Sequence, residues 1–231
     1  MKSITLIASR TIDHIHNLDK STELVRRGGP ALYCKQAIEA LGWKVHLLTS
    51  RRPVTVHITI QDRREKIRIE RIGKIMLHRR LPTHNVLLSP ILSEFNLEQI
   101  AQKNCHVFLD AQGYIRAKGE DLTQRWICTP ETVKNVVALK VNQRESGYVP
   151  EEILNLFRSR VLLITCGQEG VEVWDSGKRH QIHGHPVEVV DTLGAGDIFF
   201  GSFVAAYLQS SNALSATRLA MQKAEQLLQR K

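Results

Sequence analysis

Residues Asp191 to Asp197, DTLGAGD, set two carboxylates and two glycines within one short span, and a largely apolar run, Ile198 to Leu208, follows at once. Val187, Val189 and Val190 with Asp191 read as the end of a buried β-strand. Phe200, Phe203, Val204, Tyr207 and Leu208 recur at the spacing of a helix face. The glycines therefore sit at a strand-to-helix junction. Gly194 and Gly196 leave room for backbone N–H groups to converge, and the first helical turn adds unpaired donors and a partial positive charge. Such a junction holds anions. Asp197, inside that first turn, would be stabilised as the carboxylate and could point at whatever the loop binds. A carboxylate beside an anion cradle suits phosphoryl transfer, which needs charge stabilisation and a group that takes the proton from an attacking hydroxyl. The same residues also admit a plain reading, a glycine-rich turn with Asp197 as the helix cap.

Two phosphate-binding patterns are absent. There is no G-x-x-x-x-G-K-[ST], and the glycine after Gly194 and Gly196 is Gly201, which does not fit a dinucleotide fingerprint. DTLGAGD does resemble the C-terminal signature, D-T-x-G-A-G-D, of the PfkB or ribokinase-like family of carbohydrate kinases. Further landmarks of that family follow in order: GGPALYCKQAIEALG from Gly28, DAQGYIR from Asp110, NQRE from Asn142 and ITCGQEGVEVW from Ile164.

The resemblance implies roles residue by residue. Asp197 would be the base that activates the acceptor hydroxyl, with the amides of Gly194, Ala195 and Gly196 as the anion hole. Asn142 and Glu145, an N-x-x-E pair, would hold Mg2+ through water, which suits a hard cation that keeps its hydration shell. By itself that motif also reads as an exposed polar loop. Thr165, Gly167, Gly170 and Thr192 would lie against the nucleotide, ATP in this family, although a glycine pair after VLLIT is equally an ordinary strand end. Asp13, Gly28, Gly29, Tyr33, Asp110 and Arg116 would line the acceptor side. Two positions depart from the family pattern: Ala8 stands where a glycine is usual, and Tyr33 where an asparagine is. A tyrosine keeps one hydroxyl and adds a ring, so the acceptor pocket should differ from that of a typical sugar kinase. The DAQG variety of the central motif looks closer to inositol- or nucleoside-type kinases.

These residues need strands and helices to hold them. SITLIAS reads as a first strand, Pro30 to Leu41 as a helix stopped by Gly42, and KVHLLTS as the next strand, a β-α-β beginning. From Val54 to Met76 apolar and polar residues alternate over two runs, as an antiparallel hairpin with one wet face would. NVLLSPI, HVFLDA, WICT, VVALKVN and RVLLITC read as short buried strands, with helices near 96–103, 151–157 and 213–229. The expected fold is α/β, a ribokinase-like three-layer sandwich with a mainly parallel central sheet and a small β-strand lid at about 54–80, one domain over residues 1–231. Lid strands with open edges can pair with a second subunit. The chain is shorter than the usual family member, after HLLTS and again after Asp197. A shallower nucleotide pocket, or a non-catalytic nucleotide or metabolite sensor, would follow from such trimming.

Composition fits this. With 231 residues, 42% of them hydrophobic, the chain can bury a sizeable core. Cys34, Cys105, Cys128 and Cys166 stand far apart with no C-x-x-C, the pattern of small buried residues in a reducing compartment, and nothing reads as a signal peptide or membrane span. The expected location is the cytoplasm. Thirty-two Lys and Arg against twenty-three Asp and Glu give +9, with clusters at Arg51-Arg52, Arg63-Arg64 and His78-Arg79-Arg80. Aromatic residues make up only 6% and do not interleave with the clusters, so solvated strand faces or anion steering fit better than nucleic-acid recognition. His14 and His16, like His183 and His185, form H-x-H pairs that would put two imidazoles on one side of a strand, half a metal site that no neighbouring cysteine or carboxylate pattern completes.

Overall fold

The computed structural model describes residues 2–62, 64–77, 80–116, 126–184 and 192–229. Its strands are β1 (Ser3–Ala8), β2 (Thr11–Asn17), β3 (Thr22–Gly28), β4 (Lys44–Leu48), β5 (Val54–Gln61), β6 (Arg64–Arg71), β7 (Asn85–Ser89), β8 (His106–Asp110), β9 (Val136–Asn142), β10 (Val161–Thr165), β11 (Gly170–Asp175) and β12 (Lys178–His183). The helices are α1 (Pro30–Ala40), α2 (Glu98–Ala101), α3 (Gln112–Ile115), α4 (Gln143–Ser146), α5 (Glu151–Arg158), α6 (Ala195–Ser210) and α7 (Ala213–Leu228).

Eight strands form one sheet in the order β12-β11-β10-β9-β8-β7-β1-β4. All pairs from β4 through β10 are parallel, and β11 and β12 return antiparallel at one edge. Because both faces of a parallel sheet are covered, its strands are apolar almost continuously, and successive residues split between two cores. Ile4, Leu6 and Leu87 pack on one side with Phe200, Phe203 and Ala220 of α6 and α7, while Ile7, Val86 and Leu88 pack on the other with Ile100, Ile153 and Phe157 of α2 and α5. The result is a three-layer α/β sandwich. Asp110, Asn142 and Thr165 end the parallel strands β8, β9 and β10, at the edge where an open α/β sheet leaves a crevice.

The second sheet has the order β3-β2-β5-β6. Val56, Ile58 and Ile69 form its apolar inner face together with Ile15, Ile91 and Leu92. β5 and β6 fulfil the expected hairpin, but residues 72–77 carry no strand. β2 and β3 were not expected. They arise because Thr11 to Asn17 pairs in parallel with β5 and antiparallel with the charged segment Thr22 to Gly28, whose edge strand has too little apolar patterning to read alone.

Two other expectations are corrected. WICT is not a strand: Thr129 and Thr132 cap each other in a turn, the Thr129 amide donating to Thr132 Oγ1 at 3.0 Å, and Trp126 is buried against Tyr114. The helix near 96–103 shrinks to Glu98–Ala101. The strand expected at Val187 to Asp191, together with His185, Arg63, His78 and Arg79, lies outside the described residues. All four cysteines are free, Cys34 and Cys105 buried and the other two half-buried. Among the described residues no helix is long and apolar enough to cross a membrane.

Candidate active site

A cavity of about 510 Å3 lies between the two sheets and the start of α6. Asp13, Gly29, Tyr33, Arg116, Asn142, Glu145, Thr165, Gly167, Thr192, Gly194, Ala195, Gly196 and Asp197 all line it, so segments far apart in sequence converge there. Gly28, Gly170 and Asp110 do not. Gly28 stands behind Asp13, where a Cβ would come within 2.0 Å of Asp13 Oδ2, so the bare glycine leaves the carboxylate its room. Gly170 and Asp110 are treated below.

The DTLGAGD junction turns into α6 through Gly194, which adopts φ 81° and ψ 5° in the left-handed region. A Cβ there would meet the Tyr33 ring at 2.3 Å, so the ring and the bare glycine fit each other. Asp197 is the third residue of the helix, and no side chain caps this helix start. The plain reading of Asp197 as a cap therefore fails. Of the first-turn amides, Ala195 donates to the Thr192 carbonyl at 3.0 Å and Ile198 to the Gly194 carbonyl at 2.9 Å. The Gly196 and Asp197 amides have no acceptor within the helix and are the donors left for an anion. The Ala195 amide, expected in the anion hole, is spent in the turn. Gly194→Ala should cost about 1–2 kcal/mol of left-handed strain, a melting temperature lower by roughly 2–8 °C, and a further loss of turnover as the ring pushes the loop aside. Thermal melts alongside kcat would check this.

Behind the loop stands a residue the sequence reading passed over. Lys140, in the middle of β9, is 5% exposed, and its ammonium donates to both Asp110 oxygens at 3.1 and 3.3 Å. A Cβ on Gly196 would sit 3.3 Å from its Nζ, so the ammonium abuts the first turn of α6. Burial pulls this ammonium down, but Asp110, Glu145 and Asp197 together outweigh it and the net shift is upward. Lys140 thus stays a cation. Asp110 is completely buried, also receiving hydrogen bonds from the Gln112 amide at 3.2 Å and Ser89 Oγ at 3.3 Å. It positions the lysine from behind. The sequence signal was available: a lone lysine within VVALKVN, on a strand covered on both faces, must be paired.

Asn142 and Glu145 form a capping box at the start of α4. The Glu145 amide donates to Asn142 Oδ1 at 2.7 Å, and the Asn142 amide donates to Glu145 Oε2 at 3.0 Å. Glu145 Oε1 also accepts from Arg116 Nη2 at 3.4 Å. The N-x-x-E pair is therefore a rigid, half-buried unit facing the cavity and not a solvated loop. Its oxygens are engaged but keep spare lone pairs, which fits water-mediated contact with Mg2+ better than direct ligation. Among the described residues no group of three or more His, Cys, Asp or Glu could hold a metal by itself.

The Asp197 carboxyl is pushed up to about 7. Removal of water is the main cause and Asp110 adds to it; Lys140, Arg116 and a hydrogen bond from Gln112 oppose it. A carboxyl tuned to neutral pH is suited to accept and release a proton in turnover. Thr11, also missed, lines the cavity with a buried hydroxyl that has no protein partner. It can serve a polar ligand beside Asp13.

Thr165, Gly167, Thr192, Ala195 and Gly196 also line a neighbouring chamber of about 280 Å3. Gly170, Val171, Phe199, Met221, Ala224 and Leu228 line it too, between β11, α6 and α7. A polar cavity under the lid thus adjoins a mostly apolar chamber across the first turn of α6.

Comparison with known proteins agrees with this anatomy. Residues 134–231 match the pfkB family carbohydrate kinase domain. An inositol 3-kinase of Zea mays is 31% identical over 129 residues, 53% of this chain and 33% of that protein. Across the curated relatives the matched segments span 23% to 44% of their lengths. Over the whole fold, a pyrophosphate-dependent kinase in the ribokinase family, solved with a pyrophosphate analogue and myo-inositol, superposes with a TM-score of 0.80 at 18% identity, covering 98% of this chain and 95% of that one. The ribokinase of Cryptococcus neoformans in complex with ADP superposes at 0.72 and 16% identity, covering 100% and 95%. Motif, segment match and fold agree: residues 134–231 match the pfkB carbohydrate kinase family, and the chain as a whole has the ribokinase-like fold.

Proposed function

We propose that the protein is an ATP-dependent phosphotransferase that phosphorylates a hydroxyl of a small polyhydroxylated acceptor: a sugar, inositol, polyol or nucleoside. The observation that carries this reading is the convergence of Asp197, its carboxyl at about 7, with the Lys140 ammonium and the first turn of α6 in one cavity. The acceptor would lie under the lid, its hydroxyls against Asp13 and Thr11 and its apolar edges against Val56, Ile58 and Ile91. Asp197 would take the proton from the attacking oxygen as its bond to the γ-phosphorus forms and the bond from that phosphorus to the bridging oxygen breaks, ADP leaving. The Gly196 and Asp197 amides, with Lys140, would carry the charge on the transferred group. Mg2+, held through water by Asn142 and Glu145, would supply further neutralisation of the donor phosphates.

The donor is argued from the apolar chamber. Pyrophosphate has nothing to bury there, whereas a nucleoside base has a flat apolar face. The related pyrophosphate-dependent kinase makes the alternative worth measuring. Ala224→Trp, which would fill the chamber, should raise KM for ATP by about tenfold or more, the equivalent of ~1.4 kcal/mol, and leave any pyrophosphate-driven turnover unchanged. The primary test is Mg2+-dependent ADP release over a panel of sugars, inositols, polyols and nucleosides. An acceptor-dependent increment supports the kinase; ATP binding with no increment for any acceptor would favour a sensor. A homodimer through the lid is part of the same proposal, since Leu24 and Val25 lie exposed on edge strand β3.

A further inference from the structure

The outer face of the four-stranded sheet carries a separate cavity of about 270 Å3, lined by His16, His57, Thr59, Lys66 and Arg68. Strand alternation brings these side chains together. Asp13 and Ile15 on β2, Val56 and Ile58 on β5, and Ile69 on β6 turn inward, so His16, His57, Thr59, Lys66 and Arg68 turn outward. Register then aligns them: His16 lies beside Thr59 and Thr59 opposite Lys66, while His57 lies opposite Arg68.

All five side chains can donate hydrogen bonds, and none is a carboxylate. Lys66 and Arg68 sit two residues apart on one strand and so on one face of the sheet. Two carboxylates flank the imidazoles and orient them: His16 Nδ1 lies 3.1 Å from Glu23 Oε1, and His57 Nε2 lies 3.0 Å from Glu70 Oε2. The His14 ring stacks on His57 with centroids 5.0 Å apart, fixing it further. The Glu70 carboxyl is held below the usual carboxylate range, first by the His57 hydrogen bond, with Arg68 and His14 adding their charge. The lining of the hollow thus gathers donors, with the two carboxylates at its edge.

We propose that this pocket binds a phosphate group, as inorganic phosphate or a small phosphate monoester. A guanidinium presents paired donors to a tetrahedral oxyanion, and the ammonium, hydroxyl and imidazoles supply the rest of its shell. The space suits a phosphate bearing a small substituent and falls below that needed by larger ligands. The site also touches the reaction. His57 points outward between Val56 and Ile58, which point into the acceptor cavity, so a phosphate bridging β2, β5 and β6 would stiffen the cover of the active site.

The test follows the His16 and His57 imidazole signals of the full chain by NMR at fixed ionic strength, titrated with inorganic phosphate and, separately, with glycerol 3-phosphate. Reading these two rings distinguishes the pocket from the α6 cradle, which also attracts phosphate. Saturable shifts with Kd of about 1 mM, weakened at least about tenfold in the K66Q/R68Q double variant, are expected, and the tighter of the two titrants names the source. The proposal is overturned if neither ring shifts saturably, or if the double variant binds as the parent does. It is also overturned if a single-stranded oligonucleotide produces the same shifts at far lower concentration, which would make the face a polyanion surface.

Discussion

Replacing Asp197 with asparagine is expected to lower turnover by about 10²–10⁴-fold, the usual contribution of a positioned general base, while nucleotide binding is retained. The change keeps the shape of the side chain, exchanges one acceptor oxygen for an NH2 donor and removes its ability to accept a proton. Asp197 makes no cap to its helix, so the substitution removes no cap from the start of α6. A pH signature goes with it. The carboxyl sits at about 7 because burial and Asp110 disfavour its ionised form more than Lys140 and Arg116 restore it. A base works only when unprotonated, so kcat/KM should fall as pH drops below about 7 and level off above it. Steady-state profiles of the parent should show that acid limb, and the residual activity of the asparagine variant should lack it. Near-normal turnover in the variant would remove Asp197 from the chemistry.

The turn into α6, its glycines and Asp197 were legible in the sequence because each is fixed locally: a turn needing φ above zero, a first helical turn, an apolar face at helical spacing. The parallel strands were legible for the same reason, since continuous apolar runs have few other uses. Lys140 was legible only as a buried charge in need of a partner; the partner was not, because Asp110 lies 30 residues away and meets it across neighbouring strands β8 and β9. The N-x-x-E pair was legible as a motif, yet its local role as a capping box emerged only with the short helix α4. β3 escaped for the opposite reason to the core strands. TELVRRG carries charge and almost no alternation, and it is a strand because β2 offers it an edge. The outer pocket likewise depends on register between strands, which no single segment encodes. His14 and His16 could be assigned to one side of a strand, but not to neighbours on β5 and β6.

Lys140→Met should be the most destabilising single change at the site. It leaves Asp110 as a fully buried carboxylate without its cation, and breaking a buried pair from one side typically costs about 3–5 kcal/mol, or roughly 6–20 °C in melting temperature for a chain of this size. Burial already pushes the Asp110 carboxyl up, with Lys140 the largest opposing influence, so the lone acid is expected to take up a proton in compensation. Adding Asp110→Asn removes the orphaned charge. The double variant should regain most of the lost stability, because two buried charges exchanged for neutral groups of similar size are close to balanced. Turnover separates the two roles of the lysine. If Lys140 only props up the sheet, the double variant recovers activity together with its melting temperature. If its ammonium also meets the transferred phosphoryl group beside Gly196, stability returns while kcat stays low, and Lys140→Arg, which keeps the charge, restores part of kcat that the double variant cannot. Thermal melts and steady-state rates on the three proteins decide between them.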